Sequence, residues 1–126
     1  MPDFKKYFAI PAPPEEVYAA LTFEPTIELW TGSSASFVAE EGTEFSMWDE
    51  SISGRNLKLE AKRLIQQEWY FGYQTEPSIV NIKLHPDKKG TSVEVNHSNI
   101  PEEAFDDIKS GWADVYMKHL REFYLD

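Results

Sequence analysis

No cysteine occurs among the 126 residues of this chain. Disulfides, thiol chemistry and zinc–thiolate sites are therefore excluded. Positive charge is scarce: 12 Lys and Arg stand against 22 Asp and Glu, a net charge of −10. The bases never cluster beyond a pair, as in Lys5-Lys6 and Lys88-Lys89. That argues against nucleic acid and anionic membrane as partners, because both attract through positive charge. Solubility is a sufficient reason for the excess of acids. No stretch approaches the roughly 20 apolar residues of a membrane span, and the opening residues MPDFKKYF carry no apolar signal core. The expectation is a cytoplasmic protein. Repeats, low-complexity tracts and linkers are absent, and the length suits one domain over residues 1–126. There is no HExxH run, calcium loop, Gly-rich phosphate loop or nucleophile elbow. No metal and no cofactor are expected.

Aromatic residues, in contrast, make up 14% of the chain. Each ring can bury about 150–250 Å², so the core is expected to be built of large rings, and it either fills itself or surrounds a pocket. Near the C-terminus, Trp112, Val115, Tyr116, His119, Leu120 and Phe123 follow the one-sided spacing of a helix, with Asp114, Lys118, Arg121 and Glu122 opposite. Lys118 and Arg121 suit the last turns, where the helix dipole favours cations. Phe105 and Ile108 continue the apolar face upstream, after Pro101 and the acids Glu102, Glu103, Asp106 and Asp107. Gly111 costs about 1 kcal/mol in a helix interior. The reading is a short helix over 102–109 and a longer one over 111–124.

From the start, Phe4–Ile10 reads as a strand ended by Pro11, Pro13 and Pro14. Pro14, followed by Glu15 and Glu16, opens a helix whose inner face is Val17, Ala20 and Leu21. A second short helix from Pro25 carries Ile27 and Trp30 and ends at Gly32. Strands then follow one another. Residues 35–40 form a short one, and Thr43–Trp48 alternates with Phe45 and Met47 inward, leaving Trp48 on the other face unless a bulge resets the register. After the turn Asp49-Glu50, Ser51–Ala61 holds Leu57 and Leu59 on one face, with Gly54 marking a bulge or a close approach. Leu64–Phe71 groups Ile65, Gln67, Trp69 and Phe71, and puts Glu68 outward. Ser78–Leu84 groups Val80, Ile82 and Leu84. A loop from His85 to Gly90 leads into Thr91–Ser98, with Thr91, Val93, Val95 and His97 on one face. Hairpin-length links make the sheet antiparallel. Its apolar face needs a cover, and the last helix is the only element long and apolar enough. The fold class is α+β, a curved sheet of about six to seven strands wrapped around the C-terminal helix.

These stretches carry a resemblance. Residues 12–21 (APPEEVYAAL), Trp30, Gly42–Ser46 (GTEFS), Ile52–Leu57 (ISGRNL), Trp69-Tyr70-Phe71, Gly90-Thr91, His97 and Gly111-Trp112 resemble, in order and spacing, the helix-grip superfamily. That superfamily includes START domains, Bet v-type allergens and polyketide cyclases (SRPBCC proteins). Within it, the chain is similar to the domain named after the activator of the heat shock protein 90 ATPase. The resemblance implies the helix-grip fold over nearly the whole chain. For function it implies a co-chaperone domain, tied to the stress response, or a carrier of apolar ligands. Eukaryotic activators carry a separate N-terminal domain that binds the chaperone, and this chain is expected to lack it.

Three histidines are candidates for chemistry. His85 is expected in an exposed loop. His97 and His119 both point, by parity and spacing, to the groove between sheet and helix, where they could meet as hydrogen-bond partners or as proton shuttles. His119 reads first as a core-edge histidine bonded to a backbone carbonyl, and second as a polar group in a cavity. Asp49 and Glu50 read as hydrated turn residues. The candidate cavity walls are Trp30, Phe45, Trp69, Phe71, Trp112, Tyr116 and Phe123, with His97 and His119 as their polar groups. The leading expectation is a non-enzymatic domain that binds a small apolar molecule in that groove. The alternatives are an interaction protein that modulates a heat-shock ATPase, and a cyclase- or aromatase-like enzyme. Nothing in the residues selects an oligomeric state.

Overall fold

The computed structural model describes residues 2–71 and 76–125. Strand β1 (Phe4–Ile10) leads into helices α1 (Pro14–Thr22) and α2 (Glu24–Thr31). Strands β2 (Glu44–Met47), β3 (Ile52–Glu60), β4 (Leu64–Trp69), β5 (Ser78–Asp87) and β6 (Gly90–Ser98) follow. A turn of 3₁₀ helix over Glu102–Ala104 then opens the C-terminal helix. The six strands form one antiparallel sheet in the order β1-β6-β5-β4-β3-β2. Each neighbour from β2 to β6 is joined by a hairpin. β1 instead adds to the far edge, so α1 and α2 cross one end of the sheet between its first strand and the rest. The sheet grips the C-terminal helix, and this is the helix-grip architecture.

Period-2 alternation places the inner face. Val93, Val95 and His97 of β6, Val80, Ile82 and Leu84 of β5, and Ile65, Gln67 and Trp69 of β4 are all buried. Glu68 points outward and pairs with Arg55 at 3.6 Å. Pro14 occupies the first position of α1 with Glu15 and Glu16 in its first turn. Gly32 ends α2 in a left-handed conformation, φ 71°, donating its N–H to the Glu28 carbonyl.

Three expectations need correction. Residues 35–40 are not a strand; they make a single bridge, Ser36 to Ser46. The physical reason lies in α2. The Glu28 carboxylate accepts the Ala35 N–H at 3.1 Å and the Glu24 carboxylate accepts the Phe37 N–H at 2.8 Å. Side chains thereby take donors that a ladder would have used. Second, His85 and Pro86 are not in a loop. They pair with Ser92 and Thr91, and the turn shrinks to Lys88-Lys89, closed by Gly90 at φ 141°. His85 is nonetheless half-exposed, with Nε2 at 2.8 Å from Glu94.

Third, Gly111 does not interrupt the C-terminal helix. It is helical, φ −62° and ψ −36°. Helix α3 (Phe105–Gly111) runs on through a π-helical turn (Trp112–Tyr116) into α4 (Met117–Phe123). The Met117 N–H reaches the Trp112 carbonyl five residues back. This wider turn displaces the apolar stripe. Met117 is 3% exposed where the regular spacing left it outside, while Val115 and Phe123 are 43% and 40% exposed.

Gly54, buried in β3, marks a close approach, with Trp69 of β4 as its register partner. A Cβ there would lie 1.9 Å from the Glu68 carbonyl oxygen and 3.1 Å from the Phe45 ring. Gly54→Ala is therefore expected to cost about 3 kcal/mol or more in urea unfolding, because backbone and not a flexible side-chain tip must move. An unchanged midpoint would contradict that spacing.

Candidate functional site

A cavity of about 540 Å³ opens at one end of the interface between sheet and helix. Ile52, Trp69 and Phe71 line it from the sheet, and Ile108, Gly111, Trp112 and Tyr116 from the helix. Trp48, Asp49 and Ser51, in and beside the β2–β3 turn, complete the rim.

The centre of this wall is a pair of tryptophans. Trp69 and Trp112 stack with centroids 5.0 Å apart and planes 20° apart. Tyr116 packs on Trp112 at 4.6 Å, and on Trp30 and Trp48 at 5.2 and 5.6 Å. Each stacked indole is fastened from behind. The Trp69 Nε1–H donates to Gln67 Oε1 at 2.9 Å, and Gln67 Nε2 donates to Asn56 Oδ1 at 3.0 Å. Asn56 Nδ2 in turn donates to the Val38 carbonyl at 3.3 Å. Gln67 and Asn56 are buried at 2% and 0% exposure, so this amide chain is satisfied as burial requires. Asn56 shares the inner side with Gly54 by alternation, and the register shift that follows, between Asn56 and Lys58, brings Leu59 opposite Ile65.

The Trp112 Nε1–H donates to His97 Nδ1 at 3.1 Å. That bond defines the tautomer: Nδ1 accepts, so the proton of the neutral ring sits on Nε2 and donates to Ser78 Oγ at 2.8 Å. Ser78 Oγ–H then reaches the Trp69 carbonyl at 3.4 Å. Burial pushes the His97 pKa down to about 4. Both ring nitrogens are committed, and His97 acts as a brace behind the wall.

Tyr116 is the exception to this satisfaction. It is 4% exposed, and burial pushes its phenol up from the ordinary value. Its hydroxyl has no hydrogen-bond partner among the described residues. A buried hydroxyl without a protein partner is costly, and this one belongs to a residue that lines the cavity.

Trp48 reaches the rim through unusual backbone. Trp48, Asp49 and Glu50 have consecutive positive φ values of 52°, 53° and 69°. Each left-handed residue that is not glycine costs about 1–2 kcal/mol. Ser34 holds the turn. The Asp49 carboxylate accepts its N–H, at 3.1 Å, and its hydroxyl, and the Asp49 N–H donates to its carbonyl at 3.1 Å. These bonds lower the Asp49 pKa. Trp48 then meets Trp30 edge-on at 5.4 Å.

Four of the predicted wall residues, Trp69, Phe71, Trp112 and Tyr116, thus line one cavity. The others lie elsewhere. Trp30 sits behind Tyr116 and Trp48, its indole N–H tied to the Ala20 carbonyl at 2.7 Å. Phe45 packs on Phe37 at 5.6 Å. Phe123 is turned outward against Tyr124 by the π-helical displacement. His119 stands at the groove's edge, its Nδ1 at 2.7 Å from the Val115 carbonyl and its ring 6.1 Å from Trp48. His97 and His119 therefore have separate partners and form no pair. Trp48 was missed because alternation puts it on the outer face, and no residue type announces three left-handed positions there. Ile52 and Ile108 carry the apolar signal of any core residue.

Among the described residues, no group of three or more His, Asp or Glu is placed to hold a metal ion, and no helix is long and apolar enough to cross a membrane. Comparison with known proteins gives one consistent relationship. The family described as "Activator of Hsp90 ATPase homolog 1-like protein" matches residues 11–124. The human "Activator of 90 kDa heat shock protein ATPase homolog 1" is 26% identical over 113 residues, which are 88% of this chain and 33% of that protein. This chain thus spans about a third of the length of the curated relatives it matches. Among solved structures, an HSP90 activator from Plasmodium falciparum is similar with a TM-score of 0.86 and 22% identity, covering 96% of this chain and 94% of that one. The Aha1 dimer from Colwellia psychrerythraea is similar with a TM-score of 0.84 and 20% identity, covering 97% and 95%. At those identities the structures bear on fold.

The brace has a pH signature. The unfolded chain takes up the His97 proton near the ordinary value of 6.5, the folded one only near 4. The stability tied to the neutral ring is therefore complete above pH 6.5 and is lost as pH falls through about 4. The gap corresponds to about 3 kcal/mol. In urea unfolding over a pH series, the stability difference between the native chain and His97→Gln should narrow by about that amount across this window. A constant difference would show that His97 carries no such linkage.

Proposed function

This chain belongs to the Activator of Hsp90 ATPase homolog 1-like protein family, and we propose that it works as a binding domain that holds a small, flat, largely apolar molecule in the tryptophan-walled cavity. The observation that carries this reading is the cavity itself. At about 540 Å³ it falls within the roughly 300–1,000 Å³ range of small-molecule sites. Its walls support binding energetically. Each 100 Å² of ligand apolar surface removed from water contributes about 2.5 kcal/mol at the usual coefficient. Trp69 and Trp112 are already held by Gln67 and His97, so little ordering remains for a ligand to impose. The Tyr116 hydroxyl, with Ser51 and Ser53 also among the lining residues, supplies polar groups to orient a guest.

Gly111 offers a direct test. It lines the cavity, its backbone is helical, and a Cβ there meets nothing within 4 Å. Gly111→Leu should project an isobutyl group into the cavity and narrow it, and removing a helical glycine should leave stability equal or raised by up to about 1 kcal/mol. Native mass spectrometry of freshly purified protein is expected to show added mass that denaturation releases, and Gly111→Leu should lower its occupancy. A ligand retained at full occupancy by a folded Gly111→Leu variant would place binding elsewhere.

A second reading, modulation of a heat-shock ATPase, is supported by the names of the relatives. The human protein and the Plasmodium protein are both described as activators. The chain's net charge of −10 suits a basic patch on a partner. Added to a purified 90 kDa heat-shock ATPase at low salt, the chain is expected to raise the hydrolysis rate, less so at high salt. No change in rate across salt and protein concentration would remove this reading and leave the cavity reading untouched.

A further inference from the structure

The rim of the cavity carries charge of one sign. Asp49 reaches it from the left-handed turn and Asp107 from α3, while no Lys, Arg or His is among the described residues that line it. Behind the rim the walls are electron-rich. Trp69 and Trp112 have their indole N–H groups bonded to Gln67 and His97. The donor edges are thus used and the two rings cover one another in the stack, so the aromatic wall of Trp48, Trp69, Phe71 and Trp112 offers a guest the negative side of aromatic quadrupoles and no N–H of Trp69 or Trp112. Tyr116 adds the independent sign of a ligand: it lines the cavity, and its buried hydroxyl has no partner among the described residues. Its oxygen can accept a hydrogen bond from a guest. An anion entering here would face two carboxylates and aromatic faces, with no cation to offset them. An ammonium group would be favoured by every one of these features, and the net charge of −10 adds attraction at longer range.

We infer that the cavity takes an organic cation, an amphipathic amine or quaternary ammonium whose apolar body lies among the tryptophans and whose charge sits toward Asp49 and Asp107. This rests on the reading of the cavity as a ligand site and adds the charge of the guest. The geometry gives each part a role. The stacked Trp69 and Trp112 receive the flat body, Tyr116 orients a polar hydrogen, and the two carboxylates select against neutral and anionic molecules of the same shape.

Isothermal titration calorimetry with three probes of one size separates these contributions. At about pH 7, naphthylmethylammonium is charged as an ordinary alkylamine, naphthylmethanol is neutral and naphthoate is an anion. The ammonium probe is expected to bind about tenfold tighter than the alcohol, the sum of cation–π and exposed carboxylate contributions. Naphthoate should bind weakest. Asp49→Asn and Asp107→Asn should each lower the ammonium affinity about threefold and leave the alcohol unchanged. Asp49 also holds the turn through Ser34, so Asp107→Asn, on an exposed helical position, is the cleaner of the two. Added salt should narrow the gap between ammonium and alcohol. Equal binding of alcohol and ammonium, or tighter binding of naphthoate, overturns the cation assignment while leaving the ligand cavity standing. Ammonium-probe affinity that is undiminished in Gly111→Leu places the probe outside the cavity and also overturns the assignment. If none of the three probes binds the native chain, the assignment fails together with the ligand reading beneath it.

Discussion

The stack of Trp69 on Trp112 is the contact on which the rest of the site depends. One ring comes from the end of β4 and the other from the start of the π-helical turn, so the stack is where sheet and helix meet. Aromatic pairs alone contribute about 0.5–1.5 kcal/mol beyond their buried area. Here the larger constraint is polar. Two indole N–H groups must be satisfied inside the core, and each finds its acceptor on an inner-face strand position, Gln67 or His97. An unsatisfied donor there would cost its full desolvation. The angle and depth of both rings are therefore set by buried hydrogen bonds, and packing then closes around them.

The open volume follows from what these fixed rings cannot reach. Trp69 and Trp112 are tied back toward Gln67 and His97, Gly111 contributes no side chain, and Trp48 is drawn to Trp30 and Tyr116 by a strained turn. The strain of three left-handed residues is offset by Ser34, which takes both the backbone and the carboxylate of Asp49. A cavity bounded in this way is held open by its own hydrogen bonds. It lies at one end of the sheet, beside Asp49 and Asp107, and this gives the otherwise apolar groove a polar mouth.

Much of the architecture was legible in the residues. Alternation in Ile65, Gln67 and Trp69, in Val80, Ile82 and Leu84, and in Thr91, Val93, Val95 and His97 placed three strands with their inner faces, because burial on one side leaves a period of two. Pro14 with two acids behind it, and Gly32, marked helix ends through backbone geometry that few residues share. The site was legible only in part. Trp69, Phe71, Trp112 and Tyr116 follow from strand and helix periods. Phe123 and Val115 were assigned inward because the π-helical turn breaks the period between Trp112 and Met117. Residues 35–40 have strand composition, yet Glu28 and Glu24 of the preceding helix claim the backbone donors of Ala35 and Phe37.

By itself the sequence determined what depends on local period and composition: most of the elements and their buried faces, the antiparallel pairing of successive strands, the absence of thiol chemistry and the acidic character. Only the tertiary structure decided which rings meet, that His97 braces a tryptophan while His119 turns to a carbonyl, that Trp48 enters the rim, and that space remains between them. The reason is that volume, tautomer and register depend on distances between residues remote in sequence. These are settled by the joint satisfaction of buried hydrogen bonds and packing, which no single stretch of the chain contains.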